Sequence, residues 1–286
     1  MRSCLQPLIF LFLFSVLSLS AHSQGWRDGM ENIIYSPRYF GPNGFPIPEL
    51  RESTVSKRFE AEVRGEYHYY SGDKTKDLFA RVMLPIVRGK AAIEISAVIF
   101  EDYKLTPETK EERFAAETES PISYNGDVIV STFFQLLKKP ELMDIMVSLN
   151  LKTASGGRLV DARFTDAASY WFDVTAGRKL YCNEEANAQI SVQGMAGFYC
   201  WMTNDRVHRQ NDAVHYGIGF TARLKNVTLQ SDFAGFHGYE NNGDRPMILR
   251  NNLTYEYKKN GLSFRYYHGM KDRLYETYTL GYIRYL

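Results

Sequence analysis

The sequence predicts an all-β fold: a twelve-stranded antiparallel transmembrane β-barrel preceded by an N-terminal periplasmic extension. Three observations carry that expectation. Most of the chain after residue 56 reads as period-2 alternation of apolar and polar side chains, in runs longer than the five or six residues usual in soluble sheets. The connections between runs alternate between mostly long and uniformly short. The last run stops at the chain end with an apolar face. A secreted β-sandwich or soluble barrel is the competing reading, and it offers no reason for the loop asymmetry.

The N-terminus reads as a cleaved export signal. Arg2 supplies the positive region, Leu8–Leu19 the apolar stretch, and Ala21-His22-Ser23 the small residues before a mature start at Gln24. The apolar stretch is too short to span a bilayer. The chain carries 34 Lys and Arg against 33 Asp and Glu, so loss of Arg2 brings the formal charge to zero. That balance gives no support to nucleic-acid binding. Mean hydropathy is −0.34, as expected where half of each strand faces a polar lumen. The 20 Tyr and 18 Phe suit aromatic girdles. Cys182 and Cys200 fall near opposite ends of neighbouring strands and are expected to be free thiols. No metal-ligand spacing is present, and no cofactor is implied.

Residues 24–56 do not alternate. The run Tyr39-Phe40-Gly41-Pro42-Asn43-Gly44-Phe45-Pro46-Ile47-Pro48 excludes a ladder strand. Two readings stay open: a periplasmic leader, or an extended aromatic segment docked against or inside the barrel. In the second, Tyr39, Phe40, Pro42, Asn43, Phe45, Pro46 and Pro48 are the plug or partner contacts.

Twelve strands are expected at about 57–70, 77–88, 90–103, 126–138, 141–153, 169–181, 187–202, 213–225, 227–239, 246–258, 261–270 and 274–286. The clearest pair is 213–239. There Val214, Tyr216, Ile218 and Phe220 alternate with His215, Gly217, Gly219 and Thr221, and Lys225-Asn226 makes the turn. The least clear is 126–138, which is apolar on both faces. The odd connections 71–76, 104–125, 154–168, 203–212, 240–245 and 271–273 are expected outside and the short even ones in the periplasm. Pro107–Glu119 suits one or two helical turns. In the last strand Tyr278, Leu280, Tyr282 and Leu286 share a face. This end resembles the assembly signal of outer-membrane barrels, departing from it at Arg284.

The Ser23-Gln24 junction, the Tyr39–Pro48 run and the loop Lys152–Gly156 with Ala162–Ala167 resemble a group of porin-like outer-membrane β-barrels of the Bacteroidota. The resemblance covers most of the chain. It implies compartment and fold, and carries no activity.

By alternation the lumen receives Glu60, Glu62, Arg64, Glu66, Arg81, Glu94, Arg223, Asp232, Arg250, Glu256 and Arg265. Charges inside a membrane span are costly unless paired or wet. They therefore line a narrow porin-like channel for small polar or charged solutes, or cross-pair in a closed scaffold. The closed scaffold would be an accessory subunit of a larger outer-membrane complex. Partners are then membrane lipids and other outer-membrane or periplasmic proteins. The loop residues Arg158, Asp161, Arg163 and Asp166 are candidates for surface recognition. An enzyme is not expected. The His-x-Ser-Asn-Gly type motif of barrel lipid hydrolases is absent, and His208 among Asn204, Asp205, Arg206 and Asp212 reads as a solvated charged loop.

Overall fold

The computed structural model describes residues 32–120, 124–139, 141–203 and 210–286. The expected signal sequence, residues 24–31 and His208 lie outside the described residues. Twelve strands follow in chain order: β1 Glu60–Tyr70, β2 Asp73–Val87, β3 Ala91–Leu105, β4 Val128–Lys139, β5 Met143–Lys152, β6 Ser169–Asn183, β7 Ala188–Thr203, β8 Gln210–Leu224, β9 Val227–Gly238, β10 Met247–Tyr257, β11 Asn260–Lys271 and β12 Glu276–Tyr285. Every strand is antiparallel to its neighbours. The sheet closes through β1 and β12, whose register runs from Glu60 opposite Tyr285 to Tyr69 opposite Glu276.

Alternation sets the two faces. On β12, Thr277 and Thr279 are buried inside while Tyr278, Leu280 and Tyr282 face out. Val63, Leu149, Phe172, Ile218 and Leu253 join that outer surface. So extensive an exposed apolar belt suits hydrocarbon and not water. Outward tyrosines flank it: Tyr69, Tyr170 and Tyr239 at one end, Tyr181, Tyr257 and Tyr282 at the other. The ambiguous strand β4 resolves with Ser131 and Phe133 buried inside and Phe134 outside. A bulge between Gln135 and Leu137 restores its phase. Pro85 sits beside a second irregularity, between Pro85 and Val87, where a missing N–H is tolerated.

One end of the barrel, the turn end, carries connections such as Lys225-Asn226, where Lys225 has φ 51°. The other, the loop end, carries residues 106–120, 124–127 and 153–168. The first connection is shorter than expected. Tyr70 pairs with Asp73, leaving only Ser71-Gly72 between strands. Asp73, Thr75 and Asp77 are buried and alternate with exposed Lys74 and Lys76, so β2 continues as a polar strand past the apolar belt. The loop 106–127 opens with a helix, α1 Pro107–Arg113, capped by the Thr106 hydroxyl and begun by proline. The two cysteines among the described residues are free, Cys182 exposed and Cys200 buried.

Candidate functional site: the lumen and the segment within it

Residues 33–58 run through the lumen from the loop end to the turn end. At the loop end the Ser36 hydroxyl donates to the Asn242 carbonyl (2.9 Å) and the Gly41 N–H to Ala162 O (2.8 Å). Further in, Asn43 Nδ2 donates to Asp77 Oδ2 and to Glu101 Oε2, both at 2.7 Å. Tyr199 donates to Pro46 O (2.9 Å), Arg250 to Pro48 O (3.1 Å) and Gln230 to Leu50 O (2.8 Å). At the turn end Gln135 accepts from Val55 N (2.9 Å) and donates to Ser53 O (2.9 Å). Proline and extended geometry leave these backbone groups without a ladder, and the strand side chains take its place.

Apolar anchors supplement the polar ones. Phe40 meets Phe45 edge-on at 4.9 Å and Phe45 meets Trp201 at 5.2 Å. All three rings, and Leu50, are fully or almost fully buried. Pro42 and Pro48 are buried, Pro46 is half-buried, and Tyr39 is half-buried beneath the Arg38 guanidinium.

The predicted lumen charges form two groups and two outliers. Arg81 bridges Glu60 (3.0 Å), Glu62 (2.8 Å) and Glu94 (2.9 Å). Glu62 also takes Arg265 at 2.9 Å, and Arg64 pairs with Glu66 at 2.8 Å. Across the barrel, Arg250 holds Asp232 at 2.7 Å. Arg223 and Glu256 instead meet the segment, through Glu52 (3.2 Å) and Arg58 (3.0 Å). The segment enters the first group as well: Arg51 grips Glu94 with both nitrogens, at 2.6 and 3.1 Å, and Glu49 lies 3.3 Å from Arg265. Burial pushes the Glu49 carboxyl up, but Arg51, Arg265 and Arg250 outweigh it and hold the group well below the usual carboxylate range.

The loop 153–168 turns inward, so it is not the surface recognition element expected of Arg158, Asp161, Arg163 and Asp166. Arg163 and Asp161 are fully buried, and Arg158 and Asp166 are half-buried. Arg163 donates to Asp73 (2.6 Å), Thr75 (2.6 Å) and Glu101 (2.7 and 2.9 Å). Burial would lower its pKa, yet Asp73 and Glu101 hold the guanidinium well above its ordinary value. Arg158 binds Asp161 at 2.5 Å, and the Tyr103 hydroxyl also reaches Asp161. Arg113 of α1 reaches the same Asp73 (2.7 Å). Gly41 permits the close approach: a Cβ there would stand 2.4 Å from Arg163 Cζ. The partners Glu49, Arg51, Asp73, Asp77, Glu101 and Arg113 were not singled out from sequence. The period-2 run Asp73-Thr75-Asp77 was the signal for two of them.

Two cavities flank the segment. An inner one of about 190 Å³ borders residues 42–51, and one of about 810 Å³ at the turn end borders residues 51–58. Arg51, Arg81 and Phe133 line both. Ten basic against four acidic residues line the larger one.

The barrel's shape has solved counterparts. An outer-membrane channel from Pseudomonas putida F1 superposes with a TM-score of 0.55 at 13% identity, over 86% of this chain and 99% of that one. The KdgM porin gives 0.45 at 11% identity, over 78% and 98%. The β-domain of the Bordetella autotransporter BrkA gives 0.45 at 10%, over 81% and 100%. The chain thus has the closed fold of outer-membrane barrels. No protein-family model matches the sequence, and no curated protein matches it.

Proposed function

We propose that the protein is a gated, non-enzymatic channel of a Gram-negative outer membrane, with the loop end outside and the turn end in the periplasm. Its solutes are small and polar, and anions are favoured by the basic residues lining the larger cavity. Residues 33–58 are the gate. One observation carries the reading: the segment is held along its length mainly by side-chain hydrogen bonds and ion pairs to the wall. Such contacts exchange readily for water once the segment moves, whereas a continuous apolar core would not. Arg51, shared by both cavities and clamped on Glu94, is the closing residue.

Single-channel recording in planar bilayers tests this. The mature protein is expected to be closed with rare openings, and a variant lacking residues 24–56 to conduct steadily with anion selectivity. Silence in both variants refutes the channel.

A second reading has its own observation. Arg81 ties β1, β2 and β3 together through Glu60, Glu62 and Glu94, all of them wall residues. This wall-to-wall pairing suits a rigid closed scaffold docked in a larger complex. Deleting residues 24–50 should then abolish co-purification of a partner protein from solubilised outer membranes. A partner retained by the deletion removes the segment from that role.

A further inference from the structure

We infer that the loop end of the lumen holds a divalent transition-metal ion, bound by Glu66, His68 and Asp77. The site touches the lumen segment at Asn43 but does not rest on the channel reading. Glu66 and His68 are two residues apart on β1 and so share its inner face. Asp77 on β2 lies directly opposite Glu66 in the strand register. Two carboxylates opposed across a strand pair repel unless a cation joins them.

The neighbouring acids already have cations. Glu66 Oε1 takes Arg64 Nε at 2.8 Å, Glu101 takes Arg163, and Asp73 takes Arg163 and Arg113. Asp77 is different. Among the described residues it meets no Arg or Lys within ion-pair distance; its one ionic partner is His68. Its Oδ2 accepts from Asn43 and faces His68 Nε2 at 2.8 Å, while its Oδ1 is buried without a partner. Glu66 Oε2, the oxygen not engaged by Arg64 Nε, points at the same His68 Nε2 from 3.7 Å. One ligand atom from each of the three side chains lies within 4.8 Å of the others.

These separations bracket the roughly 3.3 Å expected between tetrahedral ligands at bonds of about 2.0 Å. His68 and Glu66 are oriented from behind, as metal ligands usually are. Thr277 Oγ1 on β12 holds His68 Nδ1 at 2.8 Å and Arg64 holds Glu66 by Oε1, while Asn43 touches Asp77 at Oδ2 and leaves Oδ1 open. Glu66 and His68 border the inner cavity, leaving room for a water as fourth ligand. One imidazole with two carboxylates selects an ion such as Zn²⁺ or Co²⁺ over Ca²⁺, which takes six to eight oxygens. As a ligand through Nε2, His68 stays a neutral imidazole with its N–H on Nδ1, donated to Thr277 Oγ1, and the proton held between Nε2 and Asp77 Oδ2 leaves as the ion enters. Arg273 also lines the cavity and opposes the ion's charge.

The test uses the untagged mature protein in detergent, with Zn²⁺ added calorimetrically and Co²⁺ as a spectroscopic probe. One ion per chain is expected, with tetrahedral Co²⁺ absorption displaced by Zn²⁺. His68→Gln and Asp77→Asn should each abolish stoichiometric uptake, while the heat-dependent gel mobility of a folded barrel is unchanged. Should either variant misfold, Thr277→Val leaves all three ligands in place and should weaken binding about 10- to 100-fold. The site is refuted if the wild type takes up no ion stoichiometrically. It is equally refuted if uptake survives unchanged in the folded His68 and Asp77 variants, or in Thr277→Val where those do not fold.

Discussion

Replacing Arg163 with Ala should be the most damaging single change at the loop end. The guanidinium is fully buried and makes four hydrogen bonds, to Asp73, Thr75 and twice to Glu101. Its removal does not strand the two acids equally. Asp73 keeps Arg113 at 2.7 Å and the Tyr275 hydroxyl at 2.6 Å. Among the described residues Glu101 keeps only neutral side-chain donors, Asn43 at 2.7 Å and Tyr124 at 2.8 Å. Leaving one buried charge without its cation costs about 3–5 kcal/mol, and the surviving donors place this case near about 3 kcal/mol. The packing of Gly41 against the Arg163 side chain is lost as well. The assay is urea unfolding of the barrel in lipid vesicles, with hydrogen exchange of residues 38–46 followed in parallel. Arg163→Lys keeps the charge but loses the planar fork, and should recover only part of the loss. A loss under about 1 kcal/mol in Arg163→Ala would refute the reasoning, because a buried and unpaired Glu101 cannot be that cheap.

Other predictions follow from the same contacts. Arg51→Glu sets a carboxylate against Glu94 where a two-nitrogen clamp stood, so the open probability in planar bilayers should rise at least tenfold. Glu49 bears on pH. Its folded pKa is depressed, so its contribution is fully present above the usual carboxylate range and is lost as pH falls through the folded value. Glu49's contribution to closure should therefore be constant from about pH 7 to about pH 5 and weaken only in stronger acid, and Glu49→Gln should remove that acid limb. An acid limb unchanged in Glu49→Gln contradicts it. On the outer face, Leu280→Arg should cost about 2–4 kcal/mol in vesicle refolding if the residue sits near the bilayer midplane, whereas a cost near zero would place Leu280 in water.

How much of this was legible in the sequence depended on which force set each feature. Most of the twelve strands are legible because lipid on one side and polar lumen on the other impose a two-residue period, clearest where Tyr278, Leu280 and Tyr282 alternate with Thr277 and Thr279 and weakest in β4, apolar on both faces. The same period marks the inward charges of β1, Glu62, Arg64 and Glu66. It identifies no partners, since Arg81 and Arg265 reach Glu62 through register and barrel closure. The connection 71–76 was misread because Asp73, Thr75 and Asp77 are polar on a face where membrane strands elsewhere carry mixed residues. The path of residues 33–58 was hidden for another reason. Proline and aromatic content dictates extended, sticky chain, but the carbonyls of Pro46, Pro48 and Leu50 carry no sequence signature of the side chains that find them. The inward loop 153–168 was likewise illegible, since charged Arg158, Asp161 and Arg163 resemble a solvated surface until Asp73 and Glu101 are brought beside them.

The pairing of β1 with β12 has a consequence for how the molecule is made. The seam joins residues 60–69 to 276–285, the most distant partners in the sheet, so by loop-closure entropy it is the slowest pairing to form. Until it forms, the growing sheet is an open trough, and residues 33–58 lead directly into its first edge. They can be laid sideways into the trough as their hydrogen-bonding partners on β7, β9 and β10 arrive. Once the seam zips shut, the same segment is threaded and can leave only lengthwise. Seating the segment during assembly and withdrawing it from the closed barrel would therefore use different routes. A defect in seating the segment would arise during assembly, and no later rearrangement of a closed barrel could lay it in sideways.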